Sequence, residues 1–216
     1  MLFEVSYIVA TIFALIAIGI GVTFFQCVKR LKESRTKANE LEKELMQVRT
    51  TDEVTRAFNY RFFAKMANLQ IKMGRRKKWP MTLISIDIDH LEKINLHYGF
   101  KTGDAVLRHL VESVQSEVRG SDVVGRLDGS RIVLFLPECG PKGADALFLR
   151  IEQKLHESPL KTGEKIVEYS ISAGSATMYG IHAQLNRMLG LSEEALDVAK
   201  KKNMGLVKFD KEGKQI

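Results

Sequence analysis

Apolar residues run almost unbroken from Tyr7 to Phe25, where Thr11 and Thr23 are the only polar side chains. Such a run of about 19 residues is close to the length that crosses a hydrocarbon core as one helix. A cleaved signal peptide would carry Lys or Arg ahead of a shorter core, and here none occurs before Lys29. Lys29, Arg30, Lys32, Arg35 and Lys37 all follow the run, so the positive-inside rule places the C-terminal side in the cytoplasm. Residues 1–28 are therefore expected to be an uncleaved signal anchor. From 29 to 50 the pattern changes to heptads, with Leu31, Ala38, Leu41, Leu45 and Val48 on a and d positions and Ser34 as a weak d. A short parallel coiled coil fits this spacing and would make the chain a homodimer. A single amphipathic linker helix fits it equally, because three heptads are marginal alone.

After residue 50, helical and strand periods alternate to the end of the chain. Helices are expected over Asn59–Met73, Lys93–Tyr98, Pro141–His156 and Leu191–Lys202, with another opening at Gly103-Asp104. That one carries its apolar face on Leu107, Leu110, Val111, Val114 and Val118. Met81–Ile88 and Leu206–Phe209 read as strands, and Val167, Tyr169, Ile171 and Ala173 alternate with polar residues as another. The centre of the pattern is a hairpin: Val123, Val124 and Leu127 lead into Asp128-Gly129, and Ile132 to Leu136 lead out. Asp-Gly between apolar runs signals a tight primed turn. Strands and helices so mixed, around a hairpin, predict an α/β (α+β) sandwich with a mixed, largely antiparallel sheet flanked by helices.

Composition bounds the chemistry. The 216 residues are 45% hydrophobic and 27% charged, with a formal net charge of +7. Basic clusters lie at Lys29–Lys37, at Arg75-Arg76-Lys77-Lys78 and at Lys200-Lys201-Lys202. Solvated surface accounts for them, and so do anionic lipid headgroups or nucleotide phosphates. Nucleic acid is disfavoured, because no aromatic residues interleave with the basic ones. Two cysteines, Cys27 and Cys139, make no disulfide framework and fit a reducing compartment.

Several strings resemble one family in order and spacing. Asp52-Glu53-Val54-Thr55-Arg56-Ala57-Phe58-Asn59-Tyr60-Arg61 resembles the entry motif of GGDEF domains, the diguanylate cyclases. Asp87-Ile88-Asp89-His90-Leu91-Glu92-Lys93-Ile94-Asn95 resembles their first catalytic strand and turn. Tyr98-Gly99-Phe100-Lys101-Thr102-Gly103-Asp104 resembles their YGH…GD segment, and Ser172-Ala173-Gly174 their SIG strand. The hairpin tip Asp128, Gly129, Ser130, Arg131 and Ile132 takes the place of the signature itself. The resemblance covers 51–216 and implies a palm-like domain with a five-stranded sheet, placed in the cytoplasm and tied to cyclic di-GMP signalling.

The same resemblance implies that two carboxylates should hold Mg²⁺ on GTP, at Asp87 and at the third signature position. The latter is Ser130, a poor ligand for a hard cation, and the fourth is Arg131. Glu92 stands where the family has a phosphate-contacting Lys, and Met204 where it has an Arg, while Lys200 fits a companion phosphate-binding position. Asp128 replaces a Gly that lets backbone approach phosphate. Loss of Mg²⁺ binding and of catalysis is expected. Asn95 and Asp104 keep the positions that hydrogen-bond guanine. Arg119 and Asp122 form an RxxD string five residues ahead of the signature turn, the place of the inhibitory site for cyclic di-GMP. An Arg fork donates to guanine O6 and N7, and a carboxylate accepts from the base N–H groups. Arg150 falls where some members add a further Arg from a neighbouring helix. The expectation is a degenerate GGDEF protein of the inner membrane, with no cofactor, that receives cyclic di-GMP and alters a protein partner. The alternatives are a nucleotide-independent scaffold that docks to another signalling protein, such as an active cyclase, and a weak or GTP-binding cyclase.

Overall fold

A computed structural model describes residues 25–26, 29–32, 34–37, 49–163, 165–202, 204–209, 213 and 215. Thr50–Ile216 forms a compact unit by itself, separate from residues 1–49. In the N-terminal unit the described residues from 25 to 37 are helical and exposed. The predicted apolar run lies outside the described residues except for Phe25, as do the heptad positions Ala38, Leu41, Leu45 and Val48. Among the described residues, no helix is long and apolar enough to cross a membrane.

The C-terminal unit runs β1 (Phe58–Asn59), α1 (Tyr60–Lys77), β2 (Pro80–Ile88), α2 (Leu91–Tyr98), α3 (Phe100–Glu117), β3 (Val123–Asp128) and β4 (Arg131–Pro137). It continues with α4 (Pro141–Glu157), β5 (Leu160–Thr162), β6 (Lys165–Val167), β7 (Ile171–Tyr179), a 3₁₀ turn (Gly180–His182), α5 (Leu185–Lys202) and β8 (Leu206–Phe209). The main sheet has the order β1-β3-β4-β2-β7-β8, and β5 with β6 forms a separate ribbon. Pairs β3–β4, β4–β2 and β2–β7 are antiparallel, and the two edge pairs are parallel. The sheet is thus mixed and largely antiparallel as expected, but six-stranded rather than five. The additional edge strand β1 is only two residues long, too short to carry a period.

Period two decides which core each strand residue joins. Ile84, Ile86, Ile132, Leu134 and Leu136 point to one face, under Val106, Leu110 and Val114 of α3 and Phe148 and Ile151 of α4. Leu83, Val133 and Phe135 point to the other, against Phe63 and Ala67 of α1 and Met188 of α5. Both central strands are buried on two sides, which is why they read as unbroken apolar runs. Emptying such a position, as in Phe135→Ala, costs about 3–5 kcal/mol.

Three expectations are corrected. The alternation Val167 to Ala173 is not one strand: β6 ends at Val167 and a new strand, β7, starts at Ile171. β7 then runs on through Ser175-Ala176-Thr177, whose small polar residues hide a central strand. Both are buried: Thr177 Oγ1 hydrogen-bonds Thr82 Oγ1 at 2.8 Å, Ser175 lies opposite Ile84 on the same α3–α4 side of the sheet, and α5 lies on the other face of the strand. A Cβ on Gly174 would stand 2.1 Å from the Leu196 amide nitrogen, so only glycine allows that approach. α5 starts at Leu185, not Leu191, with Leu185, Met188 and Leu189 extending its buried face. At the hairpin, Asp128 pairs with Arg131, so the turn residues are Gly129 and Ser130. Gly129 alone of the tip takes positive φ, +46°.

Candidate functional site

The hairpin tip is tied down by its own basic residues. Arg131 Nε donates to Asp128 Oδ1 at 3.0 Å, and its Nη1 donates to Glu193 Oε1 on α5, also at 3.0 Å. Arg126, on β3, donates from Nε and Nη2 to the Gly129 carbonyl at 3.0 and 2.6 Å, and from Nη1 to Asp52 Oδ1 at 2.9 Å. Burial alone would raise the Asp52 pKa. Hydrogen bonds from the Thr55 N–H, from Arg126 and from the Thr55 hydroxyl outweigh it and hold the carboxyl below the ordinary range. Ser130 is half-buried.

Asp87, next to the end of β2, has its side chain nearly buried. Lys200 of α5 donates to its Oδ2. Oδ1 is buried and has no hydrogen-bond partner among the described residues. Two residues on, Asp89 accepts from Ser170 and Ser172 at 2.7 Å each, which fixes the turn into α2. The free oxygen of Asp87 is the kind of atom that a divalent cation would take, but the surrounding donors do not fit one. A hard cation needs several anionic oxygens. Here a single carboxylate is already paired with an ammonium, residue 130 is a hydroxyl and residue 131 a guanidinium. Among the described residues, no group of three or more His, Cys, Asp or Glu could hold a metal ion.

Asn95 on α2 and Asp104 on α3 lie on adjoining helices, on either side of the chain reversal at Gly99. Asn95 reaches Gly103, where a Cβ would meet its Oδ1 at 1.8 Å, so the bare glycine lets the amide lie against α3. The pair is half-buried and no hydrogen bond joins it. Beside it Leu96 is 90% exposed and Phe100 79% exposed. Glu92 and Met204 are both exposed.

Arg119, Asp122 and Arg150 come together. They line one hollow of about 130 Å³ with Glu117, Pro137, Cys139 and Gly143. The Asp122 carboxylate accepts from the Arg119 backbone N–H at 2.8 Å, closing the loop between α3 and β3. Burial pushes the Asp122 pKa up, against the lowering effect of that hydrogen bond and of Arg119, Ser121 and Arg150. Arg150 is exposed, as the sequence indicates, and its Nε donates to Glu117 Oε2 at 3.0 Å and its Nη2 to the Glu117 carbonyl at 2.9 Å. Glu117 and Glu193 are the residues that sequence reasoning missed. Each acts across an interface between elements, 33 and 62 residues from its partner, where no local pattern signals it. A larger hollow, of about 710 Å³, opens between the β5–β6 ribbon, the end of α4 and the turn after β2. It contains none of the predicted residues. On its wall Tyr169 has its phenol pKa raised by burial, and its hydroxyl hydrogen-bonds His109 Nδ1 at 2.7 Å.

The profile of the family described as "Diguanylate cyclase, GGDEF domain" matches residues 49–205. Diguanylate cyclase DosC of Escherichia coli strain K12 is 30% identical over 160 residues, 73% of this chain and 34% of that protein. The chain thus spans about a third of the length of that curated relative. Among solved structures, the coiled coil and GGDEF domain of DgcB from Caulobacter crescentus, in complex with c-di-GMP, superposes with a TM-score of 0.69 at 20% identity. It covers 83% of this chain and 97% of that one. Diguanylate cyclase SiaD from Pseudomonas aeruginosa, in complex with its activator SiaC, also gives 0.69, at 18% identity, over 96% and 82% of the two chains.

Proposed function

The chain belongs to the GGDEF domain family of diguanylate cyclases, and on that premise we propose that it is a catalytically inactive, membrane-anchored member that receives cyclic di-GMP. The observation that carries this reading is the convergence of Arg119, Asp122 and Arg150 on one hollow. The Arg119 guanidinium is exposed and makes no hydrogen bond among the described residues, so its planar fork is available for guanine O6 and N7. Asp122 supplies the acceptor for the base N–H groups. The hollow is too small for a whole cyclic dinucleotide. One base edge enters it, and the phosphates meet Arg150 at the rim.

Inactivity rests on donor chemistry. Phosphoryl transfer needs metal and cationic groups around the triphosphate. Here Asp87 is paired with Lys200, the third and fourth tip positions are Ser130 and an already paired Arg131, and Glu92 adds negative charge where phosphates would lie. The anchor reading rests on the apolar run at 7–25 and the basic residues after it, which put the domain at the cytoplasmic face of the inner membrane. A protein partner that reads the bound state completes the account, and no cofactor is required. A scaffold reading is favoured by one separate feature, the exposed Leu96 and Phe100 beside the old nucleotide pocket. Calorimetric titration of residues 50–216 with cyclic di-GMP, and separately with GTP and Mg²⁺, separates them: the receptor reading expects binding of the first only, and the scaffold reading binding of neither.

A further inference from the structure

The basic cluster at the end of α1 is left unused by the proposed site. From Val54 to Ile86, and again from Ile171 to Ser192, the chain has no aspartate or glutamate. The fold brings these two acid-free stretches together. Arg75 donates from Nε and Nη2 to the Ala183 carbonyl at 2.9 and 2.6 Å. A Cβ on Gly180 would lie 3.8 Å from the Lys78 side chain. Between these two ties the 3₁₀ turn presents Ile181, 76% exposed, beside exposed Tyr179 and His182. On α1 itself, Leu69, Lys72, Met73 and Arg76 follow helical spacing on one outward face, and Leu69 and Met73 are about half exposed. Lys77 Nζ stands 4.2 Å over the ring of Trp79, the only tryptophan of the chain. Glu138 precedes Cys139, whose N–H donates to the Pro80 carbonyl at 3.1 Å.

We propose that this surface, made by the C-terminal end of α1 and the turn Gly180–His182, is a peripheral contact for an anionic lipid bilayer. A cluster of Lys and Arg without acids attracts the negative surface potential of a membrane leaflet. A Trp at the rim suits the headgroup level, where one edge of the ring is wet and the other apolar. Exposed Ile181 and half-exposed Met73 gain by entering the acyl boundary, as the apolar face of an interfacial helix does. A polyanion such as nucleic acid would use the charges but not the aliphatic side chains. A second copy of the chain would bring the same positive surface and be repelled.

The test uses residues 50–216, a compact unit with its own hydrophobic core, so it is independent of whether residues 7–25 span a bilayer. The domain is sedimented with vesicles of phosphatidylcholine alone and of phosphatidylcholine mixed with phosphatidylglycerol, and Trp79 emission is followed. Binding to the mixed vesicles is expected, with a blue shift of Trp79 and weakening at high salt. Each basic residue lost should reduce partition about fivefold. The triple variant Arg76→Glu, Lys77→Glu, Lys78→Glu should therefore lose about a hundredfold or more. Ile181→Ser should lose about tenfold with its charge unchanged. A control of equal net charge, Lys101→Glu, Lys142→Glu, Lys161→Glu, should lose far less. Absence of vesicle binding overturns the proposal. So does an equal loss in the control, which would make the effect one of net charge. Retained binding in Ile181→Ser, together with stronger binding to a single-stranded oligonucleotide than to vesicles, assigns the surface to nucleic acid instead.

Discussion

Lys200 of α5 donates to Oδ2 of Asp87 near the end of β2, and the other oxygen of that carboxylate has no hydrogen bond among the described residues. The ammonium thus supplies the positive charge that Asp87 faces. The purified domain is expected to make no detectable cyclic di-GMP from GTP with Mg²⁺ or Mn²⁺. Restoring carboxylates at the tip, Ser130→Asp with Arg131→Glu, should not be enough, because Glu92 still opposes the triphosphate. Turnover by the wild type that disappears in Asp87→Ala would contradict this.

Arg131 binds the hairpin tip to α5 through Glu193, with both side chains a little over a third exposed. Pairs so exposed contribute about 0.2–1 kcal/mol. Glu193→Gln should lower global stability by no more than that in urea unfolding, yet speed amide exchange at residues 128–131. Unchanged exchange would mean that the tip is held by Arg126 on the Gly129 carbonyl and by Arg131 on Asp128, without Glu193.

Asp52 links the entry loop to β3 through Arg126. Its pKa lies below the ordinary value of 3.8. The folded state therefore holds this proton less tightly than the unfolded chain. The resulting stability is present above 3.8 and is lost as pH falls through the lower folded value. Asp52→Asn should be less stable than wild type at neutral pH, with the difference closing in strong acid. Thermal unfolding across that range measures it.

Asp122 has the opposite sign. Burial raises its pKa above 3.8, so its contribution favours folding in acid and is lost as pH rises through the raised value. Accepting guanine N–H groups requires the ionised form. Affinity for cyclic di-GMP should therefore fall on acidification at a pH above the one where an ordinary aspartate protonates. Asp122→Asn should bind weakly and with a flatter pH profile. A wild-type profile as flat as the variant's would remove Asp122 from the site.

The fold was legible where burial is one-sided or periodic. Leu107, Leu110, Val111 and Val114 marked α3, and the apolar runs 81–88 and 132–136 marked the two central strands. It was not legible where small polar residues are buried by tertiary contact. Ser175 and Thr177 break the apolar pattern of β7, and they are buried beside Ile84 and Thr82 on the α3–α4 side of the sheet. β1 is too short for a period, and the break between Val167 and Ile171 falls inside a pattern that alternates straight through it. At the candidate site the positions of Arg119, Asp122 and Arg150 were readable from spacing and from the family resemblance. Their partner Glu117 was not, because its two bonds to Arg150 join α3 to α4 and have no local counterpart in the chain. Lys200 was readable as a basic residue near phosphate, but its pairing with Asp87 required the close approach that Gly174 permits.

The central claim is tested most directly by calorimetric titration of cyclic di-GMP into residues 50–216, wild type beside Arg119→Ala and Arg119→Lys. Loss of the paired contacts to guanine is worth about 1–3 kcal/mol, so Arg119→Ala should bind roughly tenfold to a hundredfold more weakly. Arg119→Lys should recover little, since an ammonium lacks the planar fork. Arg150→Ala should cost less, because that side chain is already engaged by Glu117. Measurable wild-type binding that Arg119→Ala weakens and Arg119→Lys does not restore is the predicted result. No wild-type binding, or binding that Arg119→Ala leaves unchanged, would contradict it.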